Sequence, residues 1–275
     1  MRSLPAPPFG VQVVLGAVGT GPRIDNVRAI AAHLLAGEAE YLVKAAEETL
    51  WTVAPGHAGI DADAEADVRY AFDSKMSDKN GPARTLYNAL KRAPYNRCPI
   101  CMERDIGALD HFLPQERWPR LAIVPSNLVP ICTQCNIAKR ALYGTEASTH
   151  FLHPYFDDLG TFEWLSAVVE ETPGAPLTFD VFRAPHWDDI TMDRVEAHFI
   201  RFGLGQLFAT HAVTLLASYA QRLDETLAVG GPVAVRLLLQ ETARSFRKAS
   251  VDLWSALAMD TWAASDWFCR GGWVT

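Results

Sequence analysis

The centre of the chain contains four cysteines in two pairs, with two residues between the members of each pair. Cys98 and Cys101 form the first pair, and Cys132 and Cys135 form the second. Two pairs with this spacing can place four thiolates around one tetrahedral zinc ion. Because four thiolates leave the metal no open position for water, the predicted zinc is structural.

A second group of polar side chains lies between the cysteine pairs and directly after them. It consists of Asp110, His111, Asn127 and Asn136, which are a carboxylate, an imidazole and two amides. These groups can hold a hard metal ion and activate a water molecule beside it. The sequence therefore predicts a hydrolytic site next to the zinc site.

Each member of this second group has a predicted role. His111 is the candidate general base, because an imidazole can accept a proton near neutral pH. Asp110 and Asn136 supply oxygen atoms and are the candidate ligands of the catalytic metal. Asn127 is expected to fix its loop and to orient His111 by hydrogen bonding rather than to bind metal.

Basic and histidine side chains follow Asn136. Lys139 and Arg140 come three and four residues later, on the same face of a helix, and are the candidate phosphate contacts. His150 and His153 could share a face and support the site with a further ligand. Alternatively, these two histidines hydrogen-bond to the backbone at the end of the module.

The charge distribution favours a nucleic-acid partner for the central segment only. The chain as a whole has a net charge of −7. From Lys91 to Arg140, however, eight basic and four acidic side chains give a net charge of +4. A locally basic site on an acidic protein can bind a phosphate backbone with modest affinity. The alternative is that a small zinc module is basic by chance.

Cysteine usage and hydropathy bear on the location of the protein. Four of the five cysteines belong to the two pairs, which suits a reducing cytoplasm. No uninterrupted apolar run approaches the roughly 20 residues of a membrane-spanning helix. We therefore expect a cytoplasmic protein without a membrane segment, in which Cys269 is a small buried side chain.

The segment before the cysteines is predicted to be mainly helical. Apolar residues recur at helical spacing over residues 24–50, with a break near Gly37. An acidic helix start follows at residues 61–67, and Arg84–Arg92 has the pattern of a short amphipathic helix. Val11–Leu15 is predicted as a buried strand or a packed arm, with a signal sequence as the alternative.

The central segment is predicted as two strands and a helix. Leu109–Leu113 and Leu121–Val124 are short apolar runs, each closed by a proline, and Thr133–Leu142 follows as a helix. In the last part of the chain, Leu177–Phe182 is a predicted strand. Helical periodicity then covers residues 192–229, 232–249 and 251–265, with a stop and restart at Gly230-Gly231-Pro232.

The predicted fold class is therefore α+β, a mainly helical chain with an embedded ββα-metal module held together by a four-cysteine zinc site. We divide it into a helical region at residues 1–93, the module at 94–155 and a mainly helical region at 156–275.

The order of these motifs resembles the zinc-knuckled branch of the HNH endonucleases. The matching elements are Cys-x-x-Cys, Asp110-His111, Asn127-Leu-Val-Pro, Cys-x-x-Cys-Asn136 and x-x-Lys139, within about residues 95–155. The resemblance implies a ββα-metal fold and cleavage of nucleic-acid phosphodiesters. This chain has Asn136 where the family pattern ends in histidine, which favours Mg²⁺ or Mn²⁺ over nickel or zinc as the catalytic metal.

The resemblance also implies a context for the activity. The chain is similar to HNH subunits of bacterial anti-phage (antiviral defence) systems, which implies an ATPase or sensor protein as partner and double-stranded DNA as substrate. A stand-alone restriction-type enzyme and an RNA-directed nuclease are alternatives within the same chemistry. A zinc-ribbon binding module without catalysis is the alternative outside it.

Overall fold

The computed structural model is mostly helical with a few short strands, which confirms the α+β class. It describes residues 1–56, 59–159, 164–249 and 254–274. The chain divides into two compact units. Unit 1 contains Met1–Asp158 together with the short segment Asp189–Arg194, and unit 2 contains Leu159–Asp188 and Val195–Thr275. The predicted regions 1–93 and 94–155 thus belong to the same unit.

Before the cysteines, unit 1 is helical: α1 Val11–Ala17, α2 Pro22–Ala29, α3 Ala31–Ala46, α4 Ala62–Tyr70 and α5 Arg84–Leu90. The acidic helix start is confirmed, because Asp61 caps α4 by accepting a hydrogen bond from the backbone N–H of Ala64. A π-helical segment, Ala71–Ser77, continues directly from α4. The predicted amphipathic helix is present as α5.

Two predictions for this segment need correction. Of the two alternatives for Val11–Leu15, the strand is wrong, because the segment lies in α1 and packs Val11, Val14 and Leu15 into the core at helical spacing. The break near Gly37 falls instead at Ile30, between α2 and α3. Gly37 lies within α3, where a Cβ atom would come within 3.2 Å of the Arg120 side chain. The glycine therefore allows close packing rather than ending a helix.

The central segment has the predicted ββα order. Strand β1, Ala108–His111, pairs antiparallel with β2, Leu128–Ile131, and helix α6, Thr133–Lys139, follows. The second strand was predicted at Leu121–Val124, which is wrong. That run is buried, but Leu121 is the last residue of a 3-10 turn that begins at Pro119, and the residues after it form a loop.

One core joins the helices of unit 1 to the ββα segment. Leu34 and Tyr41 from α3 belong to the same buried apolar cluster as Leu113, Trp118 and Leu128. The indole of Trp118 donates a hydrogen bond to the carbonyl of Val53, 3.1 Å away. These contacts explain why residues before and after position 93 fold as one unit.

Unit 2 contains a two-stranded hairpin, β3 Leu165–Val169 and β4 Leu177–Val181. Its helices are α7 Asp189–Arg201, α8 Leu204–Ala249, α9 Trp254–Ala264 and α10 Asp266–Cys269. The first six residues of α7 belong to unit 1. The predicted strand at Leu177–Phe182 is confirmed, whereas β3 was not predicted. Gly231 interrupts α8 with a φ of 68°, at the predicted stop. Residues 251–253 of the last predicted helix lie outside the described residues.

Aromatic side chains form the core of unit 2. The rings of Phe208 and Trp254 are stacked with centroids 6.3 Å apart, and those of Trp262 and Phe268 are 5.5 Å apart. Cys269 is buried beside them, as predicted.

Among the described helices, none alone is both long and apolar enough to cross a bilayer. The pair α7 and α8 reaches that length and composition only together, across a bend of 59°.

Candidate metal centre and catalytic site

The four paired cysteines meet at one point in unit 1. All four are buried, and their Sγ atoms lie within 4.8 Å of one another. A zinc–sulfur distance of about 2.3 Å in a tetrahedron requires sulfurs about 3.8 Å apart, so the geometry fits. These thiols could hold a structural metal such as zinc. Within the described residues they are the one such group of His, Cys, Asp or Glu ligands.

Local backbone geometry brings each cysteine pair to this point. Cys132 caps α6, and its Sγ accepts a hydrogen bond from the backbone N–H of Cys135 at 3.3 Å. At the first pair, the backbone N–H of Met102 donates to the carbonyl of Cys98, and Met102 has a φ of 62°. Helix α6 therefore starts at the metal site, and Asn136 directly follows its last cysteine.

His111 lies at the end of β1 and is held in one orientation. Its Nε2 lies 2.9 Å from the carbonyl oxygen of Ala122, to which it can only donate. The neutral ring therefore carries its lone pair on Nδ1. The ring of Phe72 packs edge-on against it with centroids 4.4 Å apart. Burial lowers the pKa of His111 to about 4, so the imidazole is neutral at physiological pH.

Asp110 forms an ion pair with Lys139 inside the protein. The Lys139 Nζ lies 2.8 Å from Oδ2 of Asp110 and also donates to the carbonyl of His111 at 2.8 Å. Burial raises the pKa of Asp110, and the adjacent Lys139 ammonium opposes that shift. The same ammonium helps to lower the pKa of His111, so all three groups share one neighbourhood.

This ion pair determines which of the two predicted phosphate contacts is exposed to solvent. Lys139 is only 3% exposed, and its ammonium group is directed inward. Helix α6 ends at Lys139 rather than continuing to Leu142, and Arg140 takes a φ of 51°. Of the two predicted phosphate contacts, Arg140 is therefore the exposed one.

Asn127 is fully buried, and its side-chain amide forms hydrogen bonds with the backbone. Its Oδ1 accepts from the N–H of Leu113 at 2.8 Å, and its Nδ2 donates to the carbonyls of Leu113 and Leu121. The side chain fixes the loop as predicted, but its bonds go to these two residues rather than to the His111 ring. Asn136 is half-buried, one helical turn before Lys139 and on the same face of α6.

His150 and His153 are buried behind the site. The Nδ1 of His153 accepts from the backbone N–H of Tyr155, and its Nε2 bonds the hydroxyl of Tyr41 at 2.9 Å. Both ring nitrogens of His153 are thus occupied, which favours the predicted alternative of a structural role. The His150 ring packs edge-on against Phe112 at 5.2 Å. Burial lowers the pKa of both histidines, that of His150 to about 4.

Three contacts to the site were not predicted. They are the ring of Phe72 on His111, the carbonyl of Ala122 on its Nε2, and the hydroxyl of Tyr87, which accepts from the N–H of Leu109 at 3.1 Å. Phe72 and Tyr87 lie outside the motif, in segments that carry no chemical signal of their own. Only the fold reveals their proximity to β1.

Comparison with known proteins gives one informative similarity. The chain is 28% identical over 217 residues to Protein ea31 of Escherichia phage lambda, which covers 73% of this chain and 72% of that protein. No protein-family profile matches the chain. No solved structure matches it either.

Proposed function

We propose that this protein is a metal-dependent endonuclease of the HNH type that hydrolyses DNA phosphodiester bonds, with residues 94–155 as its nuclease module. The observation that supports this most is the state of His111. It is a neutral imidazole with its lone pair directed away from the Ala122 carbonyl, and it adjoins Asp110 on a ββα unit next to four clustered thiols.

In the proposed reaction, the Nδ1 atom of His111 accepts a proton from the attacking water. The Ala122 carbonyl and the Phe72 ring keep the imidazole in position and in this tautomer. Asp110 and Asn136 would hold Mg²⁺ or Mn²⁺, which when bound supplies positive charge to the phosphate and to the leaving oxygen. Exposed Arg140 contacts the phosphate backbone, and zinc on the four thiols would keep α6 against β1.

The proposal includes a partner protein. Outside the central segment the chain is acidic, with an overall net charge of −7, so it has limited affinity for DNA by itself. An ATPase or sensor protein would supply recognition and control. The similarity to a phage protein is compatible with a role in the conflict between phages and bacteria, and we place the activity in anti-phage defence.

The test is cleavage of supercoiled plasmid by the purified chain with Mg²⁺, Mn²⁺ or EDTA. His111→Gln is the decisive variant, because the glutamine Nε2 can still donate to the Ala122 carbonyl while the Nδ1 lone pair is lost. We expect at least about a hundredfold loss of nicking, the usual contribution of a general base. His186→Ala, at an exposed histidine of unit 2, is the matched control and should retain full activity.

Several outcomes would change the proposal. Unaltered nicking by a folded His111→Gln protein would exclude the assigned base. If plasmid is never cleaved, with or without proteins encoded by neighbouring genes, the binding-module alternative replaces the nuclease. Single-stranded DNA and total RNA, digested in parallel, identify an RNA-directed enzyme. Full activity of the isolated chain would contradict the requirement for a partner.

A further inference from the structure

The carboxylate predicted to bind the catalytic metal already has a cation beside it. Lys139 places its ammonium 2.8 Å from Asp110, with side-chain exposures of only 4% and 15% for the two residues. The ammonium is also bonded to the carbonyl of His111, which holds it at the junction of β1 and α6. This pair is therefore a built feature of the site and not a solvent-exposed surface contact.

The pair leaves the site almost without net charge. Lys139 balances Asp110, while His111 and Asn136 are neutral. Glu116 is the other acid that acts on the Asp110 carboxyl, but it is exposed and therefore screened by water. Magnesium sites in proteins usually combine one or two carboxylates with the phosphates of a substrate, because the dication needs compensating negative charge. At this site, the negative charge of the Asp110 carboxylate is already balanced by the Lys139 ammonium.

We infer that Lys139 makes divalent-metal binding at Asp110 dependent on the phosphate of the nucleic-acid substrate. The inference rests on the proposed function, since it concerns the same site. Without nucleic acid, Lys139 repels the dication and occupies one oxygen of its ligand. A phosphate group at the site supplies the missing negative charge, so that metal and nucleic acid bind together. By thermodynamic linkage, the metal strengthens nucleic-acid binding by the same factor.

The test measures Mn²⁺ affinity by electron paramagnetic resonance of the free ion, using the full zinc-loaded chain at pH 8. The His111→Gln background prevents cleavage, and Asp110→Asn defines the Mn²⁺ bound elsewhere. A DNA duplex should tighten Mn²⁺ binding at least about tenfold. Adding Lys139→Gln should tighten Mn²⁺ binding in the absence of DNA by at least about tenfold and reduce the additional tightening that the duplex causes.

Two controls separate charge from structure. Arg92→Gln removes a positive charge from an exposed residue of the central segment that has no assigned role at the site, and it should leave DNA-free Mn²⁺ affinity within about twofold of its starting value. Lys139→Arg keeps the charge and should keep the DNA dependence. If Lys139→Gln loses zinc or helical circular dichroism, Lys139→Met replaces it, because methionine fills similar space without charge.

The outcomes are distinct from those of the cleavage assay. A folded Lys139→Gln protein with unchanged DNA-free Mn²⁺ affinity overturns the inference, even if the wild type cleaves DNA. So does Mn²⁺ binding that is the same with and without duplex. The chain could also cleave no nucleic acid and still bind Mn²⁺ and duplex together through Lys139. In that case the proposed function fails and the inference holds.

Discussion

Asn127 offers the sharpest test of which polar residues are structural and which are chemical. Its amide makes three hydrogen bonds to the backbone of Leu113 and Leu121 and is fully buried. We consider Asn127→Asp, which keeps the shape and the Oδ1 acceptor. The second oxygen of the aspartate would face two carbonyl oxygens, where the native amide donates to both. A residue that bound metal would tolerate this change, because a carboxylate is a better ligand for Mg²⁺ than an amide.

The expected cost follows from the groups left without partners. Two buried carbonyls lose their donor, and each unpartnered buried polar group costs about 1–3 kcal/mol. Burying the new carboxyl group, charged or protonated, adds to this cost. We therefore expect a loss of about 4 kcal/mol in the free energy of unfolding of unit 1. For a unit of this size, this corresponds to a fall of about 8–16 °C in Tm.

The assay is thermal unfolding followed by circular dichroism, with hydrogen exchange of the peptide that contains Leu113 as the readout specific to unit 1. Asn136→Ala is the matched control, because that amide is half-buried on α6. It should change Tm by less than about 3 °C while abolishing metal-dependent cleavage. An Asn127→Asp protein with native Tm, native exchange at Leu113 and retained cleavage would refute the structural assignment.

Two further predictions concern the thiols and a buried histidine. Metal analysis of the purified chain should find one zinc per molecule, and Cys135→Ser should lose it together with the stability of unit 1, whereas Cys269→Ser should retain it. Burial lowers the pKa of His150 to about 4, whereas its pKa in the unfolded chain is about 6.5. The neutral ring therefore contributes fully to folding stability above pH 6.5, and this contribution is lost as the pH falls towards 4. Between pH 7.5 and pH 4.5, the free energy of unfolding of the wild type should fall by about 2.5 kcal/mol more than that of His150→Phe in denaturant titrations, and equal losses would contradict this assignment.

Local patterns predicted the order of the ββα elements but misplaced one strand. Leu121–Val124 is apolar and buried, which is the expected signature of a strand, yet prolines before and after it favour a loop. The actual strand β2 contains Pro130, which argues against a strand in the middle of a sheet. The sheet tolerates it because Leu109 and Pro130 face each other as a non-hydrogen-bonded pair, in which neither backbone N–H points to the other strand. The N–H of Leu109 accordingly donates to the Tyr87 hydroxyl, and the ladder needs no N–H at Pro130.

The site was predictable in its residue types but not in its pairings. Spacing alone indicated the four thiols, because tetrahedral zinc imposes it. The inward turn of Lys139 depends on where α6 ends and on a carboxylate 29 positions earlier in the chain. No local pattern encodes that contact. The same holds for Phe72, whose approach to His111 follows from the packing of a π-helical segment against β1.

The discontinuity of unit 1 has a consequence for biosynthesis. Arg194 donates to the carbonyls of His150 and Phe151 and to the Asp157 carboxylate. Those partners emerge from the ribosome well before the arginine does. At about 5–20 residues per second, the 36 positions from Asp158 to Arg194 take about 2–7 s to translate. During that interval Asp157 lacks its buried counter-ion, so unit 1 stays incomplete until residues 159–188 of unit 2 have been translated.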